Sequence, residues 1–255
     1  MIDPKVLASI GAHAILRNIE DFTELVPDAA KIIGKKRVSI RFSIPEIDKL
    51  TLKFDNGKCL AMRGEGIPSN MNLLFTSPEH FIGMLKGTKM PIPTRGLQHL
   101  GFLSKDFVKL TDLMTEYLKP DPERLKNDAE FRRVSTILTA YVACFSLCEI
   151  ANLDRVGKIT NSCIEDGVIS FEIKDELYIH LVKKDGKLTC VKGAHPKPDA
   201  FMIFDDIDTA CGVLTGTLDS FACIGGGKLT VKGHMNMIDN LNRLLNQVQF
   251  YSAEV

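Results

Sequence analysis

The sequence has no tryptophan and no surplus of charge, with 32 lysines and arginines against 32 aspartates and glutamates. That neutral balance gives no electrostatic footprint for nucleic acid, and no basic stripe stands out. It also gives no global attraction to anionic membranes. The N-terminus lacks the basic segment, apolar core and cleavage site of a secretory signal. The C-terminus, Ser252-Ala253-Glu254-Val255, is not a Ser-Lys-Leu type of peroxisomal address. Seven cysteines (59, 144, 148, 163, 190, 211 and 223) form an odd set, mostly in apolar runs. They read as reduced core thiols in a cytoplasmic protein. The longest apolar run, Thr136–Cys148, is shorter than the roughly 20 residues of a bilayer span, so no transmembrane segment is expected.

Catalytic signatures are absent too. The six histidines share no metal-ligand spacing with one another or with cysteines. No G-x-S-x-G, Walker or H-E-x-x-H sequence exists. Cys144 and Cys148 share a helix face with no second pair to complete a metal site, so they read as buried thiols. Gly225-Gly226-Gly227-Lys228 precedes a strand rather than a helix, and so lacks helix-start amides for a phosphate. Asp205, Asp206 and Asp208 read as a helix cap with first-turn acids rather than a cation site. The expectation is a protein that is not an enzyme and carries no cofactor or metal.

What is present is an internal repeat. Shifted by 129 residues (186 − 57), Val38–Leu103 runs against Gly167–Lys232 with 14 identities in 66 positions, five of them glycines. Ile40, Phe42 and Ile44 meet Ile169, Phe171 and Ile173. Gly57-Lys58 meets Gly186-Lys187, and Phe75 meets Phe204. Gly83, Leu85 and Gly87 meet Gly212, Leu214 and Gly216, and Gly96 meets Gly225. Glycine recurs where a backbone needs positive φ or close approach, so shared glycines imply a shared chain path. Two copies of one domain follow, residues 1–119 and 120–255, each large enough to bury its own core. The linker is Lys119-Pro120-Asp121-Pro122-Glu123.

Each copy reads as a helix, an antiparallel meander, a short helix, a last strand and a closing helix. In the first copy these are a helix over Pro4–Leu25, a short one over Ala29–Ile33, and strands at Val38–Ile44, Leu50–Phe54 and Cys59–Arg63. Asn56-Gly57 and Asp185-Gly186 signal matched hairpins. The strands Met71–Phe75 and Ala200–Phe204 precede helices capped by Ser77 and Asp206. Leu97–Leu103 is expected as the fifth strand and Ser104–Leu118 as the closing helix, with Phe107 matched to Met235. One helix is expected over Leu125–Asn152. Apolar nearly all round at Thr136–Cys148, it should be covered on every face, by its own sheet and by the other copy or a second subunit. The 134–150 stretch is thus a candidate homodimer surface.

The second half closes with a strand, a helix ending at Gly216, a loop carrying Phe221 and the three glycines, a strand at Lys228–Lys232, and a helix with Met235, Ile238, Leu241 and Leu245 on one face. That order resembles the sterol carrier protein type two family of small lipid-binding domains. The preceding meander, GVISFEIKDELYIHLVKKDGKLTCVKG, resembles the strands of that family. The resemblance implies an α+β fold of two tandem sterol-carrier-like domains, each a five-stranded, mostly antiparallel sheet covered by helices around an apolar cavity. It also implies non-enzymatic binding or carriage of a lipid, fatty acyl or other hydrophobic small molecule.

By that resemblance the ligand-binding candidates of the second copy are Phe204, Ile207, Leu214, Phe221, Ile224, Met235, Met237, Ile238 and Leu241. Those of the first are Phe75, Phe81, Met84, Leu85, Ile92, Phe107, Leu110 and Met114. Each is also an ordinary core residue in a bland reading. The first copy departs more from the pattern, with Gln98 against Gly227 and Ser104 against Gly233. Two other readings stay open: an interaction module with collapsed pockets that self-associates, and an accessory domain holding a hydrophobic substrate for an enzyme.

Overall fold

The computed structural model describes residues 2–254 and divides them into two compact units, residues 2–121 with Glu254, and Pro122–Ala253. Pro122 opens a helix instead of continuing the linker.

In the first unit the opening helix is continuous but irregular. It runs as α1 (Pro4–Ile10), a π-helical stretch at Gly11–Ile15, a tight turn at Leu16–Asn18 and α2 (Ile19–Leu25). A side chain at Gly11 would strike Phe81 and Leu85, so glycine there lets a second helix come close. After α3 (Pro27–Ile33) come β1 (Arg37–Ser43), β2 (Leu50–Asp55), β3 (Lys58–Arg63) and β4 (Met71–Leu74). Then follow α4 (Pro78–Leu85), β5 (Ile92–Arg95) and, past a second irregular stretch, α5 (Val108–Leu118). The sheet order is β3-β2-β1-β4-β5, with only β1 and β4 parallel.

The second unit starts with α6 (Pro122–Asn127), and Asp128 caps α7 (Ala129–Leu153) by accepting the Phe131 N–H. The single helix expected over Leu125–Asn152 is therefore two, because the cap residue is extended. After α8 (Arg155–Ser162) come β6 (Gly167–Ile173), β7 (Leu177–Lys184), β8 (Lys187–Lys192) and β9 (Ala200–Phe204). The unit ends with α9 (Ile207–Leu214), α10 (Ser220–Gly225), β10 (Leu229–Gly233) and α11 (Met235–Ser252). The sheet order β10-β9-β6-β7-β8 is that of the first sheet read from the other edge, and β6 and β9 form its parallel pair.

Local chemistry explains the matched elements. Both hairpins carry two successive positive-φ residues, Asn56 and Gly57 (φ 48 and 82) and Asp185 and Gly186 (φ 49 and 77), as a two-residue turn between twisted strands requires. Ser77 accepts the His80 N–H and Asp206 the Thr209 N–H, so both caps act as expected. That bond holds the Asp206 carboxyl below the usual carboxylate range. In each unit the opening helix also clamps an edge strand. Thr23 Oγ1 accepts the Cys59 N–H, and the Asn152 amide both accepts from and donates to the Leu188 backbone. These pairs again lie 129 apart (152 − 23 and 188 − 59).

The repeat register breaks after α4 and α9. The fifth strand of the first unit is β5, and Leu97–Leu103 is largely helical, which corrects the expected strand there. Gly96 follows β5 and Gly233 ends β10, both at positive φ, and a side chain at either would strike the backbone at the start of β4 or β9. They are the true counterparts, 137 apart (233 − 96), so the second unit carries eight extra residues (137 − 129). That insertion contains α10, where a loop was expected. On the closing segments Phe107, Leu110 and Met114 are buried in the first unit, and Met237, Ile238, Leu241, Leu244 and Val248 in the second. Phe107 is buried whereas Met235 is 52% exposed, so the expected match between them does not hold.

Among the described residues α7 is long and apolar enough, by length and composition alone, to cross a membrane, and 72% of its most apolar window is buried inside the protein. No residue from Phe131 to Asp154 is exposed. α7 packs on α8, α9, α11, β7 and β8, so elements of its own unit account for its apolar girth.

Candidate functional site

Each site is built on the inner face of a sheet, where strand alternation points every second side chain toward the helices. In the second unit Ile169, Phe171 and Ile173 of β6 lie beside Leu181 and Ile179 of β7 and beside Ala200, Met202 and Phe204 of β9, all buried. α7 and α11 cover this face.

The structure brings together part of each candidate set. Phe204 is buried with its ring 5.4 Å from Phe171, and Met237, Ile238 and Leu241 are buried on α11. Ile207 and Leu214 are half-buried on α9. Phe221 is 78% exposed and Ile224 39% exposed on α10, and Met235 is 52% exposed at the first turn of α11. In the first unit Phe75, Phe81, Phe107, Leu110 and Met114 are buried, Met84 and Leu85 are half-buried on α4, and Ile92 is 42% exposed on β5.

The two inner faces differ in filling. The first unit contains seven phenylalanines (22, 42, 54, 75, 81, 102 and 107), all buried. Six form one cluster: Phe42 to Phe75 at 6.4 Å and Phe107 at 6.1 Å, Phe54 to Phe102 at 5.1 Å and Phe107 at 6.2 Å, and Phe75 to Phe81 at 5.1 Å. The second unit keeps only the counterparts of Phe42 and Phe75. At the shift of 129, Ala151 stands at the position of Phe22, Lys183 at Phe54 and Ala210 at Phe81.

The candidate set does not include Lys183, although laying Phe54 on Lys183 in the repeat would have singled it out. Lys183 lies on the inner face of β7, paired across to Gly167, and is only 4% exposed. Its Nζ donates to the backbone oxygen and to Oδ1 of Asn161, each at 2.9 Å, at the end of α8. Burial lowers the lysine pKa, and Asp166 opposes that shift. The Met237 methyl lies over Gly167, where a side chain would collide with it.

Among the described residues no three histidine, cysteine or acidic side chains gather as metal ligands. Burial pushes the Cys144 thiol well above its ordinary pKa, which keeps it in the unreactive protonated form.

Residues 162–246 match the SCP-2 sterol transfer family. No curated protein matches the chain. Among solved structures, the sterol carrier protein domain 2 of Helicoverpa armigera is 18% identical, with a TM-score of 0.35 over 43% of this chain and 87% of its own. The ubiquinone synthesis protein UbiJ-SCP2 is 20% identical, with a TM-score of 0.34 over 43% of this chain and 94% of its own. The inverting sec-alkylsulfatase Pisa1 of Pseudomonas sp. is 14% identical, with a TM-score of 0.28 over 57% of this chain and 28% of its own. The family match runs from the end of α8 through most of α11.

Proposed function

We propose that the protein is a non-enzymatic binder or carrier of a lipid, fatty acyl or similar hydrophobic molecule, and that the second unit holds the ligand. In this reading the first unit is a second copy of the same domain whose interior is filled by its own side chains. The observation that carries the assignment is the replacement of Phe22 and Phe81 by Ala151 and Ala210. Each exchange removes ring volume between sheet and helices, where an apolar ligand can supply the missing contacts. Burying about ten methylenes of a ligand contributes roughly 8 kcal/mol before ordering costs, enough to hold it without a covalent bond.

The test is mass spectrometry of the freshly purified protein, first native and then after organic extraction. One apolar molecule per chain is the expected result. A ligand-free protein that also ignores fluorescent fatty-acid probes would overturn the reading. Two molecules per chain would assign a ligand to the first unit as well and refute its filled interior.

A further inference from the structure

Lys183 is a cation where its counterpart in the first unit is a buried phenylalanine. Such a group is costly to bury unless something answers its charge. Among the described residues no carboxylate lies within ion-pair distance of it. Asp166 opposes the effect of burial from a distance without pairing with the ammonium, and it accepts the Asp185 N–H. Two of the three ammonium hydrogens go to Asn161, which leaves one donor over. Lys183 lies on the same inner face as Leu181 and Ile179, paired with Gly167, over which the Met237 methyl packs. A long apolar stem carrying a charged tip therefore borders the apolar surface of the second unit.

We propose that Lys183 anchors the anionic head of the ligand, so that the second unit prefers an amphiphile with an apolar tail and a carboxylate, a fatty acid rather than a neutral sterol or alcohol. This rests on the carrier reading above. Asn161 holds the ammonium in place from one side, and the carboxylate accepts the remaining N–H as a charge-assisted hydrogen bond. The tail lies along Leu181 and Ile169, toward the space that Phe81 occupies in the first unit and Ala210 leaves open in the second.

The experiment compares oleate with oleyl alcohol by displacement of a fluorescent probe, in the full chain and in Lys183→Met and Lys183→Arg. The intact protein should prefer oleate by about tenfold or more, the scale of a hydrogen bond to a charged group. Lys183→Met should erase that preference while leaving the alcohol bound, and Lys183→Arg should restore much of it. Equal binding of acid and alcohol by the intact protein, or an equal loss of both in Lys183→Met, would overturn the anchor and leave the carrier reading standing. Binding of neither probe would remove the carrier reading and the anchor with it. A second measurement needs no variant. Carboxyl-labelled oleate bound to the intact protein should titrate below its value in water, because a neighbouring ammonium favours the ionised form. Titration at or above that value would refute the anchor.

Discussion

Each half of the molecule has seven phenylalanines and uses them differently. All seven are buried in the first unit. In the second only Phe131, Phe171 and Phe204 are buried, while Phe221 and Phe250 are 78% and 72% exposed. The sheets have the same strand order and the same parallel pair, so topology does not decide what a unit encloses. Side-chain volume at a few inner positions does. One copy satisfies its interior contacts with its own rings, as close-packed cores do. The other has alanines and a lysine where the first has rings.

Exchanging the residues tests this contrast most strongly. Phe81→Ala should destabilise the first unit by about 3–5 kcal/mol, the cost of removing a buried ring from a cluster. Denaturant unfolding of the full chain would read this loss. The reciprocal Ala210→Phe puts a ring into the second unit. It should abolish binding of the fatty-acid probe while leaving the chain folded. If Ala210→Phe instead unfolds the second unit, its interior is already full and the contrast is false.

A smaller effect separates the glycines that hold the fold from those that only permit it. Gly233 lies at φ 92 against the backbone at Asp199 and Ala200, whereas a side chain at Gly225 would meet open space. Gly233→Ala combines a left-handed alanine with overpacking and should cost about 2–4 kcal/mol. Gly225→Ala should change the unfolding midpoint little. Equal effects would mean that the equivalence of Gly96 and Gly233 does not reflect a shared close approach.

The smallest effect concerns the caps. Asp206→Ala should cost about 1 kcal/mol at neutral pH, as the loss of a helix cap does. The folded-state pKa of Asp206 is lowered, so its contribution is fully present above the usual aspartate value of about 3.9. It fades as pH falls through the lower folded value. The difference between Asp206→Ala and the intact protein should therefore shrink below about pH 4. At Ser77, whose hydroxyl does not titrate, no such fading is expected for Ser77→Ala. A pH-independent difference for Asp206→Ala would contradict the assigned cause.

Much of this architecture was legible wherever a local rule acts alone. Asn56-Gly57 and Asp185-Gly186 announced their turns, and Ser77 and Asp206 announced their helices. The fifth strand was not legible, because β5 carries Pro93, which cannot donate to a ladder. Its pairing with β4 is irregular between Asn72 and Leu73 as a result. A shared glycine at 96 and 225 then drew the ungapped repeat past an insertion of eight residues. For the candidate site, hydrophobicity marked the buried Phe204, Met237, Ile238 and Leu241, and equally the exposed Phe221, Ile224 and Met235. Burial depends on where an inserted helix settles, which apolarity alone does not encode. Lys183 was overlooked because a lysine at strand spacing reads as solvated until its counterpart is known to be Phe54.

The clamp on the outer strands has a consequence for how the protein behaves at high concentration. β8 is the last strand of its sheet, and an open strand border is a template on which another chain can grow. At Leu188 the Asn152 amide occupies both the N–H and the carbonyl, imitating the strand that would otherwise dock there. On the border of the first sheet, Thr23 and Glu20 take the N–H groups of Cys59 and Ala61. The opening helices therefore act as sentries against fibrillar growth, and they do so with single side chains rather than with extra strands.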